Sequence, residues 1–236
     1  MPSGTIINSV ALVYSPKTGI TFIENAWTGS ERHRVGRDLT VEDVEWILRE
    51  GSVVCIVRDP VERYISAYTH RVIKNLKRYG YADRVFHTLE DQLWWSRWHK
   101  FAARQTHVRE PWRLAISHLY RVVEGYRLSG VDIHYADQLS HIRNHPVFEC
   151  LLDHPQQIII PTAHSTWEFE RLFPQVNWRK RSHNRGTWPY ACTRKEMYTR
   201  LRPHVVQVYS RDVGMWNSYV PLINSRLPEE LKVNTV

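Results

Sequence analysis

Cysteine is scarce in this chain: of 236 residues only Cys55, Cys150 and Cys192 carry thiols. Their number is odd and no Cys-x-x-Cys pair occurs, so neither a disulfide framework nor a zinc site is suggested. Reduced thiols in a cytoplasm are the simplest reading, although two of the three could still pair. Long hydrophobic runs are also missing. No stretch reaches 18 consecutive apolar residues, and Met1-Pro2-Ser3-Gly4 leads into an apolar run within ten residues. That leaves no room for a charged leader plus an apolar signal or anchor, and a soluble protein is expected. Two nucleotide signatures are absent as well. The lack of Gly-x-x-x-x-Gly-Lys-[Ser/Thr] disfavours a nucleoside-triphosphate loop, and the lack of Gly-x-Gly-x-x-Gly a dinucleotide site. There is no internal repeat and no low-complexity tract. The 13 histidines form no cluster with metal-ligand spacing, so no metal is expected.

What the chain has in excess is positive charge. Thirty-two Lys and Arg against 24 Asp and Glu give +8, which favours an anionic ligand without naming it: a nucleotide, an acidic glycan, nucleic acid or an anionic surface. The length suits one α/β-sized domain with enough core to fold without disulfides or metals. We expect a single domain over 1–236, with its core over about 9–219 and a tail over 220–236 that carries little core signal.

The chain is organised around residues 9–22. An apolar run at Val10, Leu12 and Val13 reads as a buried strand. It breaks at Ser15-Pro16 into a Lys17-Thr18-Gly19 turn and then a short helix over 20–28. Unpaired N–H groups at a helix start, the helix dipole, a lysine and a glycine together make an anion site. An ordinary strand-to-helix turn with an exposed lysine has the same pattern, and this stretch alone does not choose between them.

Beyond it, a brief second strand is expected near Arg34-Val35. Thr40 reads as the cap of a helix with Val41, Val44, Ile47 and Leu48 at helical spacing, ended by Gly51. Ser52-Val53-Val54-Cys55-Ile56-Val57 has the continuous apolar character of a strand covered on both faces. Arg58-Asp59-Pro60 opens a helix over about 61–77. The tryptophan-rich region that follows, with Trp94, Trp95, Trp98 and Trp112, reads as core packing rather than a ligand platform. Ile158-Ile159-Ile160 is a third buried strand, followed by a helix over 166–173. The basic stretch 178–187 reads as a loop, and two last helices, 193–202 and 204–216, are expected to break at Pro203. Buried strands alternating with helices imply crossover connections and an α/β fold.

Two of these strand ends resemble known motifs. Ser15-Pro16-Lys17-Thr18-Gly19-Ile20-Thr21-Phe22 resembles the 5′-phosphosulfate loop of sulfotransferases that use 3′-phosphoadenosine-5′-phosphosulfate (PAPS). Val57-Arg58-Asp59-Pro60-Val61-Glu62-Arg63-Tyr64-Ile65-Ser66-Ala67-Tyr68 resembles their 3′-phosphate motif, especially that of the Golgi carbohydrate sulfotransferases. Three further stretches are similar to later motifs of that family: Asp132-x-His134-x-x-x-Gln138, Ser182-His183-Asn184-Arg185-Gly186 and Tyr209-x-x-Asp212. The resemblance runs over about 9–219. It departs at Ile20, where relatives usually carry a small hydroxyl residue. It also departs in having no membrane anchor, which points to a bacterial or viral cytoplasmic relative.

The resemblance implies a P-loop-like three-layer fold with a central, mostly parallel sheet flanked by helices. It implies transfer of a sulfuryl group from PAPS to a hydroxyl acceptor, most simply a saccharide, leaving 3′,5′-adenosine bisphosphate (PAP). Lys17, Thr18, Gly19, Ile20, Thr21 and Phe22 would hold the 5′ end, with Lys17 neutralising the leaving phosphate. Arg58 and Ser66 would hold the 3′-phosphate, and Asn184 and Arg185 would close over the donor. The base would come from the connection after the first helix, among Glu31, His33 and Asp38. His33 is preferred because an unshifted imidazole accepts a proton near neutral pH, with His134 as the runner-up. A solvated histidine between Arg32 and Arg34 is the plain alternative. Arg63, Tyr68 and Cys55 read as structural. The competing class is a non-enzymatic nucleic-acid or polyanion-binding α/β protein, suggested by the charge and the 178–185 loop. Under the preferred reading there is no nucleic-acid partner and no membrane insertion, and nothing in the sequence speaks to oligomeric state.

Overall fold

In the computed structural model the described residues are 3–7, 10–14, 32–33, 41–70, 110–124, 135–138, 157–174 and 188–236. In chain order they form β1 (Ser3–Ile7), β2 (Val10–Tyr14), β3 (Arg32–His33), α1 (Val41–Glu50), β4 (Ser52–Val57) and α2 (Pro60–Tyr68). There follow α3 (Pro111–His118), which runs on into a π-helical stretch (Leu119–Glu124), then β5 (Gln157–Pro161), α4 (Ser165–Leu172), α5 (Arg194–Val208) and α6 (Ser210–Asn224). The chain divides into two compact units. One comprises Met1–Asp59, Asp137–Asn184 and Arg211–Val236; the other comprises Pro60–Ala136 and Arg185–Ser210.

The first unit holds a sheet with the strand order β3-β1-β2-β4-β5. β2, β4 and β5 are parallel to one another, and β1 is antiparallel to both β2 and β3. The expected mixed α/β architecture with a parallel centre is therefore present. β4, the middle one of the three parallel strands, is almost wholly buried, because alternate residues serve opposite faces. Val53, Cys55 and Val57 join Val13, Ile159 and the α1 residue Ile47 in a cluster completed by Met215, Trp216, Val220 and Ile223 of α6. Val54 and Ile56 join Leu12, Tyr14, Ile160 and Phe169 of α4 on the other face. Helices thus cover the sheet of this unit on both sides, which explains why its parallel strands read as unbroken apolar runs rather than alternating ones.

Four local expectations are revised. β1 was not anticipated, since Ser3-Gly4-Thr5 before Ile6-Ile7 carries little strand signal; pairing with β2 supplies the order. The short strand lies at Arg32–His33 rather than at Arg34-Val35. α5 runs straight through Pro203 and breaks only at Tyr209. Met197, Leu201, Val205 and Val208 form a buried stripe across the proline, while Pro203 sits on the exposed side, where water can take the carbonyl it leaves without a partner. Finally, core signal continues past Pro221. Ile223 and Leu227 are buried, and the last residues are pinned to α6. Asn224 exchanges two hydrogen bonds with the Val233 backbone, both 2.9 Å, and Asn217 two with that of Val236, 3.2 and 2.9 Å.

The second unit is built around aromatic rings. Tyr64, Tyr68, His118, Tyr135 and Tyr209 are all buried, with Tyr68 and Tyr135 5.3 and 5.1 Å from the His118 ring. The Tyr64 hydroxyl donates to the Ala115 carbonyl at 2.7 Å and lies 3.0 Å from His118 Nδ1. α5 begins on an N-cap: the Thr193 hydroxyl accepts from the Glu196 N–H at 3.1 Å. Arg194 of its first turn pairs with Glu62 of α2, which raises the guanidinium's pKa further. Among the described residues no helix is long and apolar enough to cross a membrane.

Candidate active site

Because β2, β4 and β5 are parallel, their carboxyl ends Tyr14, Val57 and Pro161 emerge at one edge of the sheet. In open α/β sheets this is the edge outside which ligands bind. Each strand end is followed by a polar residue type: Ser15 after β2, Arg58 after β4, Thr162 after β5.

Arg58 is the best defined of these. Its backbone N–H donates to Gln138 Oε1 at 3.0 Å, and its carbonyl accepts from Gln138 Nε2 at 2.7 Å. Gln138 is fully buried and is itself held, its N–H donating to Asp212 Oδ2 at 2.8 Å. One residue earlier, the Val57 carbonyl accepts from the Thr162 hydroxyl at 3.0 Å. The chain leaving β4 is therefore fixed by side chains from two distant segments, Gln138 and Thr162, before Pro60 starts α2. Arg58 itself is half-buried, a position where a guanidinium keeps much of its strength toward an anion.

In the second unit Ser66 is half-buried on α2. Arg63, three residues before it, is 2% exposed and donates to the Ala136 carbonyl at 2.6 Å, a structural duty as expected. Tyr68 is buried too, and burial drives its phenol well above the ordinary tyrosine range, with Tyr190 adding to the shift. Burial likewise pushes the Cys55 thiol up to about 12. Neither group is poised as a nucleophile or base near neutral pH.

Tyr209-x-x-Asp212 and the Gln138 stretch, similar to family motifs but without an assigned task in the sequence, acquire one each. The Tyr209 hydroxyl donates to the Tyr135 carbonyl at 2.8 Å, and Asp212 holds Gln138. Thr162 was missed altogether; a threonine directly after a buried strand was its only signal.

His33 lies on β3, its backbone level with Ile6, and through Ala11 with Val53, at the start of β4. Arg58 comes five residues further along, so at about 3.3 Å per residue the two are roughly 16 Å apart along the strand direction, before the three strand spacings between β3 and β4 are added. Lys17, Thr18, Gly19, Ile20, Thr21, Phe22, Glu31, Asp38, His134, Asn184 and Arg185 lie outside the described residues. So do the 20–28 helix, the 178–187 loop, Cys150 and Trp94, Trp95 and Trp98. Among the described residues no group of His, Cys, Asp and Glu could hold a metal ion.

The model of the sulfotransferase family matches residues 30–136, a little under half of the chain. This span contains the strand, the Arg58-Asp59-Pro60 turn and the α2 helix with Ser66. Over these residues the chain is similar to the sulfotransferase family. No curated protein and no solved structure matches it. Members of that family are enzymes that transfer a sulfuryl group to a hydroxyl acceptor, generally from PAPS. The family match stops two residues before Gln138 and begins after residues 9–22. The contact that fixes the Arg58 backbone thus joins the matched segment to a residue beyond it.

Proposed function

We propose that this protein is a sulfotransferase, that it uses PAPS and that its acceptor is the hydroxyl of a saccharide. The observation that carries the donor reading is Arg58. It stands at the carboxyl edge of the parallel strands, half-buried, with both backbone polar groups tied down, in a strand-Arg-Asp-Pro-helix sequence similar to the 3′-phosphate motif. In this reading Arg58 pairs with the 3′-phosphate by charge-assisted bonds and Ser66 donates its hydroxyl to the same group. Residues 17–22 bind the 5′ end through backbone N–H groups and the Thr18 and Thr21 hydroxyls. Asn184 and Arg185 close over the nucleotide.

Transfer is an in-line displacement. The acceptor oxygen forms a bond to sulfur as the bond from sulfur to the bridging oxygen breaks, and the charge on the departing 5′-phosphate is neutralised by Lys17. The acceptor proton passes to a base. The register places the His33 backbone at the far end of the sheet from Arg58, and we therefore favour His134, four residues before Gln138, for that role. The saccharide assignment rests on the likeness of the 57–68 stretch to carbohydrate sulfotransferases. The free, buried thiols of Cys55 and Cys192 support the expectation of a reducing, cytoplasmic setting.

The deciding experiment is calorimetric binding of PAP to the wild type and to Arg58→Ala. Tight binding by the wild type and a loss of at least tenfold in the variant are expected. Weak, unchanged binding in both would remove the donor assignment. A PAPS-dependent screen of saccharide, lipid, small-metabolite and tyrosine-peptide acceptors, read by product mass, tests the acceptor class.

A further inference from the structure

We infer that Gln138, held by Asp212, is a positioning residue for the donor site: it fixes the Arg58 backbone so that the guanidinium meets the 3′-phosphate without first having to be ordered. The inference rests on the donor reading above and deepens it.

Three features carry it. The contact is bidentate, with the Gln138 carboxamide matching both the N–H and the carbonyl of one residue, 3.0 and 2.7 Å. Two bonds in one plane fix orientation as well as distance, which a single bond does not. Next, the carboxamide is not a mobile surface group. Gln138 and Asp212 are each 0% exposed, and the Asp212 carboxylate takes the Gln138 N–H at 2.8 Å, so the clamp is anchored from behind through α6. Lastly, the clamped residue lies where the regular elements stop. β4 ends at Val57 and α2 begins at Pro60, so Arg58 lies in the gap between ladder and helix. Its backbone groups need a side-chain partner or water. Water would satisfy them equally well but would leave φ and ψ of Arg58 free to vary.

A purely structural alternative exists, in which Gln138 merely satisfies two buried backbone groups. The two differ in what they predict for ligands. A positioning role touches the 3′-phosphate and nothing else on the nucleotide. PAP and AMP share the adenosine and the 5′-phosphate and differ in the 3′-phosphate alone. We expect Gln138→Met, which keeps the length and loses both bonds, to bind PAP about 10- to 100-fold more weakly, in line with the loss seen when residues that orient a ligating group are removed. AMP affinity should stay within about twofold, because no contact to AMP is altered. Gln138→Glu keeps the acceptor for the Arg58 N–H but cannot donate to its carbonyl, and should show the same selective loss if Gln138→Met does not fold. Asp212→Asn, which keeps an acceptor for the Gln138 N–H, should be mild. In Arg58→Ala the Gln138→Met change should cost PAP binding nothing more, since the group it orients is gone.

Calorimetry on the full chain with PAP and with AMP reads all of these, with thermal unfolding of each variant as the folding control. Equal loss of PAP and AMP, unchanged PAP binding, or a full additional loss on the Arg58→Ala background would each overturn the positioning role. If Arg58→Ala itself keeps the wild-type preference for PAP over AMP, the failure lies in the donor reading and not in the clamp, so the two are told apart.

Discussion

Gln138 and Arg58, eighty positions apart in the chain, share two hydrogen bonds that turn a glutamine side chain into a substitute for a neighbouring strand. The geometry resolves a conflict inherent in α/β sites. The carboxyl end of a strand is where a ligand-binding residue is best placed, yet it is also where the ladder stops supplying backbone partners. Thr162 answers the same need for Val57. The strand end that carries the arginine is thereby held by its backbone, and such ordering before binding reduces the entropy lost when an anion is bound.

Lys17 is assigned a duty that develops only as the bond to sulfur breaks. Such an interaction belongs to the transition state more than to the bound donor. Lys17→Ala should therefore lower kcat by about 10²- to 10³-fold, the scale of losing one preorganised stabiliser of developing charge. Binding of PAP should fall by much less. Single-turnover rates and PAP calorimetry on the same preparation separate the two quantities, and a loss confined to binding would contradict the assignment.

The two histidines are distinguished by pH. If His134 takes the acceptor proton, His134→Ala should abolish the acidic limb of the kcat/KM profile, which reports the ionisation of the base. His33→Ala should keep both the limb and most of the rate, consistent with the position of its backbone beside Ile6 at the opposite end of the strands. The reverse pattern would restore His33 to the role the sequence suggested.

The parts of the fold that could be read from the sequence were those dominated by one physical effect. β2, β4 and β5 are unbroken apolar runs because both faces of the central sheet are covered, and the Arg58-Asp59-Pro60 turn follows from where β4 must end. What escaped was decided by tertiary context. β1 has only two apolar residues and exists by pairing with β2. Pro203 is a helix breaker by propensity, but the Met197 to Val208 stripe buries enough apolar surface to carry α5 past it. The site shows the same division. Arg58 and Ser66 could be named from spacing along one segment, whereas the tasks of Gln138, Asp212 and Thr162 depend on contacts between residues 74 to 105 positions apart.

Burial of Cys55 sets a pH limit on stability. The thiol ionises at about 9 in the unfolded chain and at about 12 in the fold. Its folded pKa is raised, so the contribution is fully present below pH 9. Between pH 9 and 12 the unfolded state has lost the proton and the folded state has kept it. Stability then falls with rising pH, by about 1.4 kcal/mol per unit from this group. Urea unfolding at pH 8, 9 and 10 should show a steeper decline for the wild type than for Cys55→Ala, whose smaller side chain lowers stability equally at every pH. Parallel curves would show that the thiol is more accessible than the central strand implies.

Asn224 offers a test of how the last residues are held. Its carboxamide exchanges two 2.9 Å hydrogen bonds with the Val233 backbone, and Asn217, seven positions earlier on the same helix, does the same for Val236. Trp216 adds a third anchor through its indole N–H, which donates to the Asn234 carbonyl at 2.9 Å. Each asparagine faces an extended backbone as a neighbouring strand would. Asn224→Ala leaves a backbone N–H and a carbonyl to water, since Val233 is only partly buried. The cost should be at the lower end of that for unsatisfied groups, about 1 to 2 kcal/mol. Hydrogen exchange should locate the effect: the Val233 amide should lose protection first, with Val236 following as the segment detaches, while the amides of β4 exchange as before. Even loss of protection across the sheet would mean that this segment is part of the cooperative core rather than a strap fastened to it.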